Sequence, residues 1–135
     1  MKVYTCSDDQ TTKYLAEYII NNPSPAYIRI DRDESKVNVK CSKKNISNGF
    51  RIFKNTDKIK KFIISCGSTI KLAEDFRKKY KKEIITIDVI RQKPFPEEII
   101  EIVKQAKKII VLDEHVFMGD FFQFYQVTLV SIILM

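Results

Sequence analysis

The chain has little of the raw material from which most catalytic and metal-binding signatures are built. It holds three glycines in 135 residues, and they form no Gly-x-Gly-x-x-Gly or Walker-type loop through which a backbone could cradle a phosphate. Its three cysteines, Cys6, Cys41 and Cys66, are odd in number and far apart. No Cys-x-x-Cys pair or Cys/His cluster occurs, which leaves neither a disulfide framework nor a zinc site supported. The single histidine, His115, has no serine or cysteine nucleophile paired with it by spacing, so Ser-His-Asp chemistry lacks support. No apolar signal segment opens the sequence, because polar residues from Thr5 to Lys13 interrupt it at once. A reducing cytoplasm is the expected compartment.

Charge is abundant but not organised. The net charge of +7 suggests an anionic partner, yet the lysines at Lys43–Lys44, Lys58–Lys61, Lys78–Lys82 and Lys104–Lys108 are broken up by acidic and apolar residues. No basic stripe interleaved with aromatics appears, so no specific nucleic-acid binding is expected. The expectation is a solvated, lysine-rich surface whose field also suits small anions such as sugar phosphates. The 24 basic and 17 acidic residues all precede Phe121. The uncharged stretch that follows, Phe121 to Met135, is too short to span a bilayer comfortably, and it is expected to cover an interface or to drive self-association.

Apolar patterning supplies the positive evidence. Met1–Thr5 and Ala26–Ile30 read as strands flanking a helix in which Leu15, Tyr18, Ile19 and Asn22 recur at helical spacing. Ser7 lies three residues before Gln10, a capping-box spacing, and Pro23 and Pro25 end that helix. Residues 35–48 are polar and read as a linker or exposed hairpin. From Phe50 a second rhythm begins. Phe62–Cys66 and Ile84–Val89 are continuous apolar runs, the mark of strands covered on both faces, and Lys108–Leu112 is a third strand. Between them, Leu72, Ala73, Phe76 and Tyr80 mark one face of a helix. A further helix begins near Pro96, with Ile99, Ile100, Val103 and Ala106 toward the core. Strands alternating with helices predict an α/β domain: a three-layer α/β/α sandwich with a mostly parallel sheet, preceded by a partial second α/β unit. The expected division is residues 1–34, a linker at 35–48, the main domain at 49–120 and an atypical apolar tail at 121–135.

Three places invite chemistry. Arg29 and Arg32 close the strand Tyr27–Ile30, where a guanidinium meets either a phosphate in a crevice or the neighbouring Asp31, Asp33 and Glu34. Gly67–Ser68 joins a buried strand to a helix, serving either as a tight turn with a cap at Ser68 or as an anion-holding backbone. Asp113, Glu114 and His115 follow the last buried strand on the same crevice side, as candidate functional residues or as polar strand-end residues.

These pieces in this order resemble the transketolase family and its relatives, the deoxyxylulose-phosphate synthases and the 2-oxoacid dehydrogenase beta subunits. Ser7–Thr11 with Pro25–Arg32 is similar to the closing strand–helix–strand of the family's pyrimidine-binding domain. Phe62–Ser68 is similar to the strand–Gly–Ser–helix opening of its C-terminal domain. Ile87–Pro94 and Val111–His115 with Gly119 are similar to two further elements of that domain. The resemblance covers most of residues 4–120. It implies a thiamine-diphosphate- and magnesium-dependent ketol transfer between sugar phosphates, with Arg32 holding the substrate phosphate and Arg29, Glu114 and His115 at the crevice or an interface. The family's Gly-Asp-Gly motif, its downstream asparagine and the cofactor-activating glutamate are absent. The chain is therefore expected to bind no cofactor or metal alone and to need either a partner carrying the cofactor domains or self-association. The alternatives are a truncated gene remnant and a non-catalytic domain that binds a partner or an anion.

Overall fold

The computed structural model describes residues 1–31, 40–54, 61–80, 84–104 and 106–113. Its centre is built from the three apolar runs. Strands β4 (Lys61–Ser65), β5 (Ile85–Val89) and β7 (Lys108–Leu112) are parallel, with β4 between the other two. Strand β3 (Phe50–Phe53) pairs antiparallel on the outer side of β5, giving the order β3-β5-β4-β7. Because successive side chains alternate between faces, Phe62, Ile64, Ile87 and Val89 meet helix α4 (Glu97–Val103) through Ile99 and Val103. On the opposite face Phe53 and Ile63 meet helix α3 (Thr69–Lys79) through Ile70 and Ala73. This is the α/β/α sandwich that the sequence predicts. Ile64 and Ile87 are wholly buried, and each such side chain contributes roughly 1.5–3 kcal/mol relative to exposure.

The smaller unit is also present. Strands β1 (Lys2–Cys6) and β2 (Ala26–Ile30) are parallel, joined by helix α1 (Asp9–Asn21). A third strand, β6 (Arg91–Lys93), runs antiparallel on the other side of β1. Only Ile90 separates β5 from β6, so the chain leaves one sheet and enters the other within a residue. The Thr5 amide donates to the Ile90 carbonyl at that crossing (2.9 Å).

Several local expectations give way. The segment expected as linker or hairpin contains helix α2 (Lys43–Asn48). Its composition is polar, but Ser42 and Asn45 cap it reciprocally and Gly49 ends it at φ 87°. One isoleucine, Ile46, then anchors it with Cys41 among Tyr4, Cys6, Leu15 and Ile90. Helix α1 is capped by Asp8 with Thr11, one residue beyond the expected Ser7–Gln10 pair. Pro96 is the cap of α4, which leaves Ile100 on its exposed side. In α3 the buried stripe is Ile70, Ala73, Glu74 and Arg77, while Leu72, Phe76 and Tyr80 face outward. Burying that stripe is possible because Arg77 donates twice to Glu74 (2.7 and 2.8 Å), so the two charges enter as a bidentate pair. No helix among the described residues is long and apolar enough to cross a membrane.

Candidate functional site

Two polar clusters lie toward the carboxyl ends of the parallel strands. The first is fully sealed. Arg51 in β3 and Asp88 in β5 are cross-strand partners, and both are buried. Arg51 Nε donates to Asp88 Oδ2 and Arg51 Nη2 to Asp8 Oδ2, each at 2.7 Å. The Ser7 hydroxyl donates to the other Asp88 oxygen at 2.6 Å. Asp8 Oδ1 in turn accepts from the Thr11 amide at 2.8 Å, so the carboxylate that caps α1 also neutralises Arg51. The Arg51 guanidinium lies 5.2 Å from the Phe53 ring centroid. One arginine therefore ties the start of α1 to the main sheet.

Burial pushes the Asp88 carboxyl above the usual carboxylate range, opposed by Arg51 and the Ser7 hydroxyl. Burial also pulls the Arg51 guanidinium down, but the attraction of Asp88 and Asp8 outweighs it and the net shift is upward. A guanidinium does not surrender its proton, and two donors at 2.6–2.7 Å face the Asp88 oxygens. Such a network holds geometry and offers no titrating acid or base to a substrate. Cys6 and Cys41 offer no thiolate either, since burial raises both thiols.

The second cluster gathers Arg29 and Gly67–Ser68, both singled out in the sequence, around Asp31. Gly67 takes φ 58° between β4 and α3, and the Ser68 amide donates to Asp31 Oδ2 at 3.1 Å. Arg29 Nε donates to Asp31 Oδ1 at 2.9 Å. The fit is close enough that a Cβ on Gly67 would meet Asp31 Oδ2 at 2.6 Å and Thr5 Cγ2 at 3.0 Å. The Thr69 hydroxyl lies 2.7 Å from the Cys66 carbonyl oxygen and 3.3 Å from that of Leu112, which draws the ends of β4 and β7 together. Ser68 begins α3 without a side-chain cap. The anion held at this helix start is the chain's own Asp31.

The structure thus brings Arg29 and Gly67–Ser68 into one cluster through Asp31. Arg32, Glu114, His115 and residues 121–135 lie outside the described residues. Sequence reasoning missed Arg51 and Asp88. The available signal was a lone cation in Phe50–Phe53 and a lone anion in Ile85–Val89, opposite charges in strands otherwise built for burial. Among the described residues no group of three His, Cys, Asp or Glu side chains is placed to hold a metal ion. The acidic side chains of the two clusters, Asp8, Asp88 and Asp31, already bond to Arg51, Arg29 or backbone amides. The described donor set therefore does not fit a metal–diphosphate site.

The mostly parallel sheet between α3 and α4 matches the fold of the transketolase C-terminal domain, and β6 joins it to the β–α–β unit. Solved structures sharing it include transketolase from Leishmania mexicana, at TM-score 0.74 and 17% identity, covering 87% of this chain and 19% of that one. A mutant transketolase from Pichia stipitis matches at TM-score 0.72 and 17% identity over the same shares. A split-gene transketolase, solved as an inactive beta4 tetramer, matches at TM-score 0.71 and 14% identity, over 99% of this chain and 47% of that one. The chain therefore spans about a fifth of the single-chain transketolases and about half of the split-gene chain. No protein-family model and no curated protein sequence matches it. At these identities the likeness is one of fold.

Proposed function

We propose that the chain is the C-terminal subunit or fragment of a transketolase-like, thiamine-diphosphate-dependent enzyme, inactive alone and completed by a separate chain carrying the cofactor-binding domains. The observation that carries this reading is coverage: 99% of the chain superposes on under half of a split-gene transketolase chain. That neighbour is described as an inactive tetramer of one chain type, which is how a part awaiting its partner would behave. In this reading the cofactor and magnesium are held by the partner. When bound there, the cofactor supplies the carbanion chemistry of two-carbon ketol transfer.

This chain's own task would then be positional. The Arg51 network sets β1 and α1 against the main sheet, and the Asp31 carboxylate fixes the end of β2 on the start of α3. Arg32 follows Asp31 directly, and its guanidinium fork suits bidentate capture of a sugar phosphate. The net charge of +7 favours approach of such anions, and a cytoplasmic enzyme of sugar phosphates accords with the free cysteines.

The test is to tag the full chain, isolate it from the cells that express it, and assay ketol transfer between sugar phosphates with added thiamine diphosphate and magnesium. Activity is expected in the isolated complex and not in the recombinant chain alone. Isolation of the chain without companions and without activity would favour a non-catalytic partner- or anion-binding domain instead.

A further inference from the structure

Helix α1 ends without a basic side chain in its last turn, although the carbonyl end of a helix carries partial negative charge and favours a cation there. Asn21 and Asn22 occupy that end instead. Asn21 Nδ2 donates to the Glu17 carbonyl oxygen at 2.7 Å, and Asn22 Nδ2 donates to that of Tyr18 at 2.9 Å. With both amide nitrogens turned onto the helix, each side chain keeps its carbonyl oxygen as an acceptor. The two asparagines line a cavity of about 170 Å³ together with Tyr14, Glu17, Tyr18 and Lys43, the last at the start of α2. Tyr14 and Tyr18 lie one turn apart and pack on the core formed by Tyr4, Leu15 and Ile46, so the fold anchors both rings.

The lining is nearly all of one kind. A carboxylate, two amide oxygens, two electron-rich rings and a helix carbonyl end all attract positive charge. The one cation, Lys43, is held loosely. Its Nζ lies 3.6 Å from Glu17 Oε2, beyond the roughly 2.7–2.9 Å of a charge-assisted hydrogen bond, and its side chain is 81% exposed. An exposed pair of that kind contributes little to stability, so another cation can displace it. An anion is disfavoured at the same place by Glu17 and the amide oxygens.

We infer that this cavity between α1 and α2 is a binding site for a guanidinium group. Its chemistry selects that group over other cations. The planar fork meets a carboxylate bidentately, which an ammonium cannot do, and its face stacks on aromatic rings. Its N–H donors are numerous enough for Glu17 and both asparagine oxygens together, whereas a quaternary ammonium has none. Size agrees. A cavity of about 150 Å³ takes a benzene-sized ring, while pockets for drug-sized molecules run to about 300–1,000 Å³. The site therefore holds one functional group on a short stem, carried by a free guanidino compound or by an arginine of another polypeptide.

The site shares no residue with either polar cluster and does not depend on the proposed enzymatic role. On the full, isotope-labelled chain, the amide shifts of residues 14–22 and of Lys43 are followed by NMR. N-methylguanidinium is added up to about 20 mM, with ionic strength held constant by sodium chloride. Saturable shifts confined to α1 and the start of α2 are expected. Glu17→Gln, which keeps the shape and the helix propensity, should weaken binding by at least about tenfold. Lys43→Ala removes the internal competitor and should tighten binding about two- to fivefold. Absence of saturable shifts, an unchanged affinity in Glu17→Gln, or equal affinity for tetramethylammonium would each overturn the assignment. Weaker binding to Lys43→Ala would overturn it as well, because the lysine would then be part of the site rather than its competitor. A capped Gly-Arg-Gly tripeptide separates the two sources. Tighter binding than N-methylguanidinium supports the site with an arginine of another polypeptide as its ligand, and equal or weaker binding supports it with a free guanidino compound.

Discussion

Replacing Arg51 with methionine is the sharpest perturbation of the fold that the structure offers. Methionine fills much of the same length but removes the guanidinium, leaving Asp88 buried with the Ser7 hydroxyl as its remaining side-chain donor. Breaking a buried pair from one side costs about 3–5 kcal/mol, because the orphaned charge remains desolvated. That is a large part of the roughly 5–15 kcal/mol stability of an ordinary domain. With a urea m value of about 1–3 kcal/mol/M, the unfolding midpoint should fall by at least about 1 M at neutral pH. The pH dependence has a defined sign. Burial already holds the Asp88 carboxyl above its ordinary value of 3.8 in the folded chain, and without Arg51 it rises further. A group raised in the folded state contributes most below its unfolded pKa, and the contribution is lost as pH rises through the folded value. The deficit of Arg51→Met should therefore be largest at neutral pH and shrink as pH falls toward about 4. Adding Asp88→Asn should recover part of the loss, since it removes the stranded charge. Urea melts of the unmodified chain, Arg51→Met and Arg51→Met/Asp88→Asn at pH 5 and 7.5 decide the matter. A loss below about 1 kcal/mol at neutral pH, the scale of a surface pair, would refute the sealed network.

Gly67→Ala should cost about 1–2 kcal/mol from the left-handed backbone alone, and more because the new methyl group displaces the Asp31 carboxylate; thermal melts alongside Gly67→Ala/Asp31→Ala should show partial recovery. Ser42→Ala removes the cap of α2 and should lower stability by about 1 kcal/mol in chemical denaturation, whereas a true linker would register nothing. In an assembled enzyme, Arg32→Lys should raise KM for phosphorylated sugars far more than for unphosphorylated ones, by the equivalent of about 1.5–3 kcal/mol; equal kinetics would assign Arg32 to surface pairing.

The parallel strands and the order of elements were legible in the sequence because Phe62–Cys66, Ile84–Val89 and Lys108–Leu112 are runs that only two-sided burial explains. The two-sheet connection was not, because nothing in Ile90–Lys93 distinguishes a continuing strand from one that crosses to pair with β1. Helix α2 was hidden by its polarity, as its stability comes from two caps and one buried isoleucine rather than from an apolar stripe. The α3 misassignment has the opposite cause. Leu72, Phe76 and Tyr80 outscore Glu74 and Arg77 in hydrophobicity, but Glu74 and Arg77 enter the core as a mutually satisfied pair. Arg29 was expected at a crevice or an interface, and the partner the structure gives it is Asp31. A hydrogen bond that spans 37 residues from Asp31 to Ser68 leaves no trace in local spacing.

The claim at the centre of this account is that the chain is one part of a larger ketol-transferring assembly. Native mass spectrometry of the tagged full chain, isolated from the cells that express it, tests that claim most directly. The account predicts a heteromer in which a second polypeptide accompanies the chain and carries thiamine diphosphate. A population consisting only of this chain, as monomer or homomer, with no companion polypeptide and no cofactor mass, would contradict it.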